Sequence, residues 1–383
     1  MAARFTPHEM LERLIAFPTV SRDSNLELIE FVANYLEAYG VRSSLVASRD
    51  GRKANLYATV GPEVEGGVVL SGHTDVVPVD GQNWDSDPFR LHEADGRLMG
   101  RGTCDMKGFL AIALALVPDM VALRHPIHLA FSYDEEVGCL GAPDLIRELT
   151  ANVPRPKAVI VGEPTSMQVV GAHKSMFIFD TVVRGHEVHS SQQHRGVPAV
   201  MVAGRLIGWL AERQRRNALD ADPESDFVPG YTTLHCGTVR GGTAHNITAA
   251  ECRFATDIRS LPGEPAESYF RELEEFARQT LEPEMRAVHP DAGIEFEIRA
   301  QVPAFQALGD DQAVTLARQL TGQNGMESVP YGAEAGQFQE AGHSVVMCGP
   351  GSIDQAHQPN EFITLKQLEA GTGFIRRLIE QLS

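Results

Sequence analysis

Cysteine is scarce and scattered in this 383-residue sequence. Cys104, Cys139, Cys236, Cys252 and Cys348 are odd in number and form no C-x-x-C pair. That excludes a disulfide framework and a cysteine-rich zinc site, and it suits a reducing cytoplasm. Long apolar runs are also missing. The longest, Phe109–Val117, falls far short of the ~20 residues of a membrane-spanning helix. Met1–Ser21 carries Arg4, Glu9, Glu12 and Arg13 without the apolar core of a secretory signal. A cytoplasmic protein without membrane association is expected. Basic charge is in deficit, 33 Lys and Arg against 51 Asp and Glu, for a net −18. That argues against nucleic acid or an anionic membrane bound through a basic face. There is no H-E-x-x-H, since His186-Glu187-Val188-His189 is one residue short, and neither G-x-S-x-G nor a P-loop lysine motif occurs. Serine-hydrolase and phosphoryl-transfer readings therefore have no support.

What is present is a repeated pattern of apolar strand, polar tip and helix. Val68-Val69-Leu70 runs into Ser71-Gly72-His73-Thr74-Asp75, and Ile127–Tyr133 into Asp134-Glu135-Glu136-Val137-Gly138. Ala158–Val161 is closed by Gly162-Glu163-Pro164-Thr165, and Val345–Met347 by Gly349-Pro350-Gly351-Ser352, with His357 soon after. Asp105 lies in a Gly-flanked loop ahead of an apolar helix predicted over Phe109–Leu123, and a second helix is predicted over Val137–Leu149. Such alternation reads as α/β with a mainly parallel, helix-covered mixed sheet, in which ligands sit beyond the carboxyl ends of the strands.

A chain this long exceeds the ~250–300 residues at which one core stops growing. Residues 175–300 differ in character: strands at Met176–Val183, Thr233–Arg240, Glu251–Arg259 and Ile294–Ile298 alternate with helices at Pro198–Glu212 and Pro265–Leu281. This βαββαβ order fits a ferredoxin-like α+β domain inserted into a discontinuous one. The expected division is a catalytic domain over 1–174 and 301–383 with an inserted domain over 175–300.

His73, Asp105, Glu135, Glu136, Glu163 and His357 all fall at or beside strand ends. Two histidines and three carboxylates make a mixed N/O donor set suited to zinc, cobalt or manganese rather than calcium. If one carboxylate bridges, five groups give two metals three protein ligands each, and one of Glu135 and Glu136 is free as a general base. Asp75, two residues beyond His73 on the same strand face, is placed to orient its ring.

The ordered stretches Ser71–Asp75, Gly100–Gly108, Asp134–Gly138 and Gly162–Thr165 resemble the family of dinuclear-zinc deacylases and peptidases. The resemblance implies that His73, Asp105 and Glu163 bind one Zn2+ and that Asp105, Glu136 and His357 bind the other. It further implies that Asp75 supports His73 and that Glu135 is the general base. Gly185–Ser191 looks like the family's inserted-domain histidine motif, so that His189 reaches the partner's site in a homodimer and stabilises an oxyanion. Asn246, in Gly241–Asn246, and Arg259, in Asp257-Ile258-Arg259, are implied substrate contacts, and the inserted domain becomes a lid and dimerisation domain. Tyr331–Gly336 and Gly349–Glu361 most resemble the branch that deacetylates N-acetylornithine. Deacylases of acetylcitrulline or succinyl-diaminopimelate, dipeptidases and a non-catalytic binding relative stay open as alternatives.

Overall fold

The structure, a computed structural model, describes residues 4–383. The chain divides into two compact units. One runs to Ala172 and resumes over Phe305–Glu327 and Ala333–Ser383; the other comprises His173–Ala304 and Ser328–Gly332. The second unit thus extends past 300 and takes in a short later segment. Strand Gly293–Val302 stays paired with Met176–Arg184, across a register shift between Ile298 and Ala300, out to Val302 opposite Met176. Gly332 lies so close to Lys174 and Met176 that an added Cβ would sit 3.3 and 3.4 Å from their atoms.

In the first unit one sheet follows the order Ser43–Ala47, Ala54–Val60, Ile127–Ser132, Val68–His73, Ala158–Val161, Val345–Met347, Val170–His173, Phe305–Gln306. Val68–His73 is parallel to both of its neighbours, and Ala158–Val161 is parallel to Val345–Met347. Antiparallel strands flank this centre. The four parallel strands are buried along their whole length, as expected for a sheet covered on both faces. Because they run in one direction, their carboxyl ends open onto one edge.

Helix Lys107–Ala115 is buried at every position, consistent with its apolar circumference. It stops short of the predicted Leu123. Pro118, which lacks an N–H, falls in a separate 3-10 turn, Val117–Asp119. The helix predicted from Val137 begins only at Ala142, because Gly138 (φ +120°) and Cys139 (φ +52°) turn the chain first. Two glycines let the buried helix approach the strand ends. A Cβ at Gly72 would lie 2.4 Å from Met106 Cε, and one at Gly162 2.2 Å from the Phe109 ring.

His128, central in this sheet, is fully buried. Its Nδ1 meets Thr59 Oγ1 at 2.9 Å and its Nε2 has no partner. Burial pushes its imidazole down to about 4. The unfolded chain binds the proton near pH 6.5 while the folded one stays neutral, so stability is complete above pH 6.5 and is lost as pH falls. Urea denaturation is expected to show about 3 kcal/mol of this loss by pH 4. His128→Gln should lack that component, and an unchanged pH slope in the variant would contradict it.

In the second unit the four strands pair antiparallel in the order Thr233–Gly241, Glu251–Arg259, Met176–Arg184, Gly293–Val302. This is the ferredoxin-like arrangement. Phe177, Phe179 and Val183 with Cys252, Phe254 and Ile258 pack on Leu206 and Leu210 of helix Ala199–Leu219 and on Leu273 of helix Ala266–Phe276. Between Phe276 and Pro283 the predicted single helix widens into a π-turn, Ala277–Leu281, before Glu282–Val288.

Candidate metal centre

Five segments deliver charged side chains to the carboxyl edge of the parallel strands. His73 ends its own strand, and Asp105 precedes helix Lys107–Ala115. Glu135 and Glu136 follow Ile127–Ser132, Glu163 follows Ala158–Val161, and His357 lies beyond Val345–Met347. They gather as two groups, His73, Asp105 and Glu163, and Asp105, Glu136 and His357, with the donor atoms of each group within 4.8 Å of one another. Asp105 belongs to both. Its Oδ1 lies 3.0 Å from His73 Nε2 and its Oδ2 3.4 Å from His357 Nε2. Glu136 Oε2 lies 2.9 Å from the same His357 nitrogen. Glu135 belongs to neither group, and the Cys139 thiol donates to its Oε1 at 3.2 Å.

Asp75 acts differently from the expected ring support. His73 Nδ1 donates to the Asp75 backbone carbonyl at 2.9 Å, while the nearest carboxylate oxygen is 3.6 Å away. That backbone bond orients the ring and turns Nε2 toward Asp105. The Asp75 carboxylate instead accepts from Ser21 Oγ at 2.7 Å and from the amides of Glu135 and Glu136 at 3.1 and 3.3 Å. It holds the turn that presents those two acids. Asp134, the first of the three consecutive acids, turns away at φ +57° to pair with Lys53. Local repulsion is thereby reduced from three carboxylates to two.

Burial pushes Glu135 up to about 8 and Glu136 up to about 7, with Asp105 adding to both, and it pushes Glu163 well above the usual range. Asp105 is the exception. Burial acts to raise it, but hydrogen bonds with His357 and His73 outweigh that and hold it below the ordinary value. The bonds to Asp105 and Glu136 raise His357 to about 10. Glu163 Oε1 is buried without a hydrogen-bond partner. Crowded, desolvated carboxylates, one with an orphaned oxygen, facing two imidazoles are costly as bare charges and well matched to divalent cations. The residues fit a pair of such ions.

The other three expected site residues lie in the second unit. His189 is exposed on a loop, and its Nδ1 accepts from the Ser191 amide at 3.2 Å. The same Nδ1 lies 2.8 Å from Ser191 Oγ, so Nε2 is the ring nitrogen that these contacts leave available. The Asn246 carbonyl accepts from the Ser190 amide at 2.9 Å, which ties the two loops together. Arg259 Nε pairs with Asp257 Oδ2 at 2.9 Å at the end of its strand.

Residues 69–381 match the family described as Peptidase family M20/M25/M40. The chain belongs to this family. Acetylornithine deacetylase of Myxococcus xanthus is 35% identical over 369 residues, covering 94% of this chain and 92% of that protein. Acetylornithine deacetylase of Proteus mirabilis is 36% identical over 383 residues, covering 97% and 95%. Among solved structures, an M20 family metallo-carboxypeptidase from Sulfolobus solfataricus superposes with a TM-score of 0.78 at 17% identity, covering 98% of this chain and 99% of that one. Human carnosine dipeptidase 1 does so at 0.74 and 17%, covering 98% and 96%. These likenesses show the fold.

In this M20/M25/M40 member, the hydrogen bonding of several buried ionic groups around the centre is visible only in the fold. Glu361 accepts from the amides of Gly102, Cys104 and Asp105 at 2.9–3.0 Å and pairs with Arg101 at 2.7 Å. Lys107 Nζ donates to Phe17 O at 2.8 Å and Leu14 O at 3.2 Å, off the end of helix Pro7–Ile15. Glu334 lies under the strand ends, bonded to Ser71 Oγ at 3.1 Å and to Ser132 Oγ. The only local signal at Glu361 is an acid directly ahead of the short strand Phe362–Thr364.

Proposed function

We propose that this chain is an acetylornithine deacetylase that hydrolyses N2-acetyl-L-ornithine to L-ornithine and acetate, in the cytoplasm, as a step of arginine biosynthesis. As a member of its family it is a metal-dependent hydrolase of linear amides. The observation that carries the reading is the pair of donor groups sharing Asp105, with Glu135 alongside and in neither. Near-full-length identity of about 35% to acetylornithine deacetylases supports the substrate.

His73, Asp105 and Glu163 would hold one Zn2+, and Asp105, Glu136 and His357 the other; Co2+ or Mn2+ would suit the same donors. Such cations supply Lewis-acid polarisation of the acyl carbonyl and lower the pKa of water. The chain's own residues do the rest. Glu135 takes a proton from the attacking water and returns it to the departing α-nitrogen, with the Cys139 thiol fixing the rotamer through Oε1. Asp75 keeps the backbone of that turn in place. The first unit serves as the catalytic domain and the second as lid and dimerisation domain. Strand Thr233–Gly241 is an edge of its sheet among the described residues, which supports a homodimer. In that dimer the Nε2–H of His189 serves the partner's site as an oxyanion donor, and Asn246 contacts the substrate. Arg259 grips the substrate carboxylate through two parallel bonds.

Acetate release from acetylornithine and acetylcitrulline, succinate release from succinyl-diaminopimelate and amino-acid release from dipeptides together test the reading. Acetylornithine is expected to be preferred, with turnover abolished by exhaustive chelation and restored by Zn2+. Turnover that survives chelation refutes the metal assignment, and preference for another substrate refutes the name. Arg259→Lys should raise KM about 10- to 100-fold with kcat largely kept, because an ammonium cannot copy the planar fork. An acyl amine without the α-carboxylate should show no such penalty, and equal losses on both substrates would contradict the role.

A further inference from the structure

His357 is the least secured of the grouped side chains. Its imidazole is half exposed, and its backbone sits at φ +62°, a region that residues bearing a Cβ adopt reluctantly. Something outside the centre must keep it there, and Gln82 is placed to do so. Gln82 Oε1 accepts from Arg101 Nη2 at 2.5 Å and from Trp84 Nε1 at 3.1 Å. With two donors aimed at the oxygen, the amide nitrogen faces the other way and donates to the His357 backbone carbonyl at 2.9 Å. Arg101 is itself anchored to Glu361, whose carboxylate accepts the Asp105 amide. A continuous run of hydrogen bonds therefore joins the backbone of Asp105 to that of His357, through side chains that belong to neither donor group.

We propose that Gln82 is a positioning residue, whose side-chain amide holds the His357 backbone so that the imidazole stays on Asp105 and Glu136 and the cation site shared by those three keeps its affinity. This rests on reading the centre as a two-cation site. Gln82 reaches the other group, His73, Asp105 and Glu163, only through the shared Asp105, whose backbone Glu361 and Arg101 hold without it, so the larger effect falls on one cation. Removal of an outer hydrogen bond to a metal ligand commonly weakens binding by about 10- to 100-fold.

Cobalt(II) titration of the metal-stripped full chain, followed by visible absorption, tests it. Wild type is expected to take up two equivalents. Gln82→Glu keeps an acceptor for Arg101 and Trp84 but has no N–H for His357; Gln82→Ala removes both ends of the link at a partly exposed loop. In each variant one equivalent should bind as in wild type while the other weakens about 10- to 100-fold with an altered spectrum. Wild-type affinity and spectrum for both equivalents would overturn the proposal. So would equal weakening of both, which marks general loosening. Uptake of fewer than two equivalents by the wild type itself would bring down the two-cation reading, and this inference with it.

Discussion

Glu135→Gln is expected to lower kcat by about 10³-fold or more while both metal equivalents remain bound. The amide is isosteric with the carboxyl, so the backbone bond from residue 135 to Asp75 and the packing of the turn survive. The capacity to take up and return a proton does not. Proton transfer by a positioned group contributes about 10²–10⁴-fold. Glu135 is the one buried carboxyl of the turn outside both donor groups, and burial has already moved it up to about 8, so it holds a proton more readily than an ordinary carboxylate. Elemental analysis alongside steady-state kinetics separates the outcomes. More than a tenth of wild-type kcat would exclude Glu135 as the base, whereas loss of metal would move it among the ligands.

Asp105→Ala should strip the centre and the activity together. Each oxygen of Asp105 faces a different histidine, so its removal leaves each donor group with two side chains. Zinc content is expected to fall from two equivalents to less than one. Stability offers an independent readout. A ligand that binds only the folded state at ~100 times its Kd stabilises by about 2.7 kcal/mol, so chelation should lower the wild-type Tm by several degrees. Asp105→Ala, with little cation left to lose, should show little such drop. Unchanged zinc content in the variant, or a full chelator effect, would refute the shared role of Asp105.

The donor chemistry was legible because it is written locally. His73, Asp105, Glu136 and Glu163 each sit in a glycine-bearing tip or at a strand end, His357 follows in the loop after Val345–Met347, and parallel strands of one direction bring such tips to one edge. The inserted βαββαβ order was legible because Glu251–Arg259 alternates between an apolar face and a polar one, while Met176–Arg184 is a largely apolar run of strand length. Short or interrupted elements were harder to read. Ser43–Ala47 and Val170–His173 lack a distinguishing periodicity, and Gly138 and Cys139 delay a helix that the apolar pattern alone begins at Val137.

By itself, then, the sequence determined which groups could cage cations, on which edge of which kind of sheet, and that one domain interrupts another. Only the tertiary structure decided how those groups are held. It placed the Asp75 carboxylate on the Glu135 and Glu136 amides rather than on His73, and it turned Asp134 away to Lys53. It also put Glu361 under the Asp105 loop and Gln82 under His357. Each of these contacts joins a side chain to a partner dozens to hundreds of residues away, often a backbone atom. Backbone partners carry no residue-specific signature, so such pairings exist only once the chain has closed on itself.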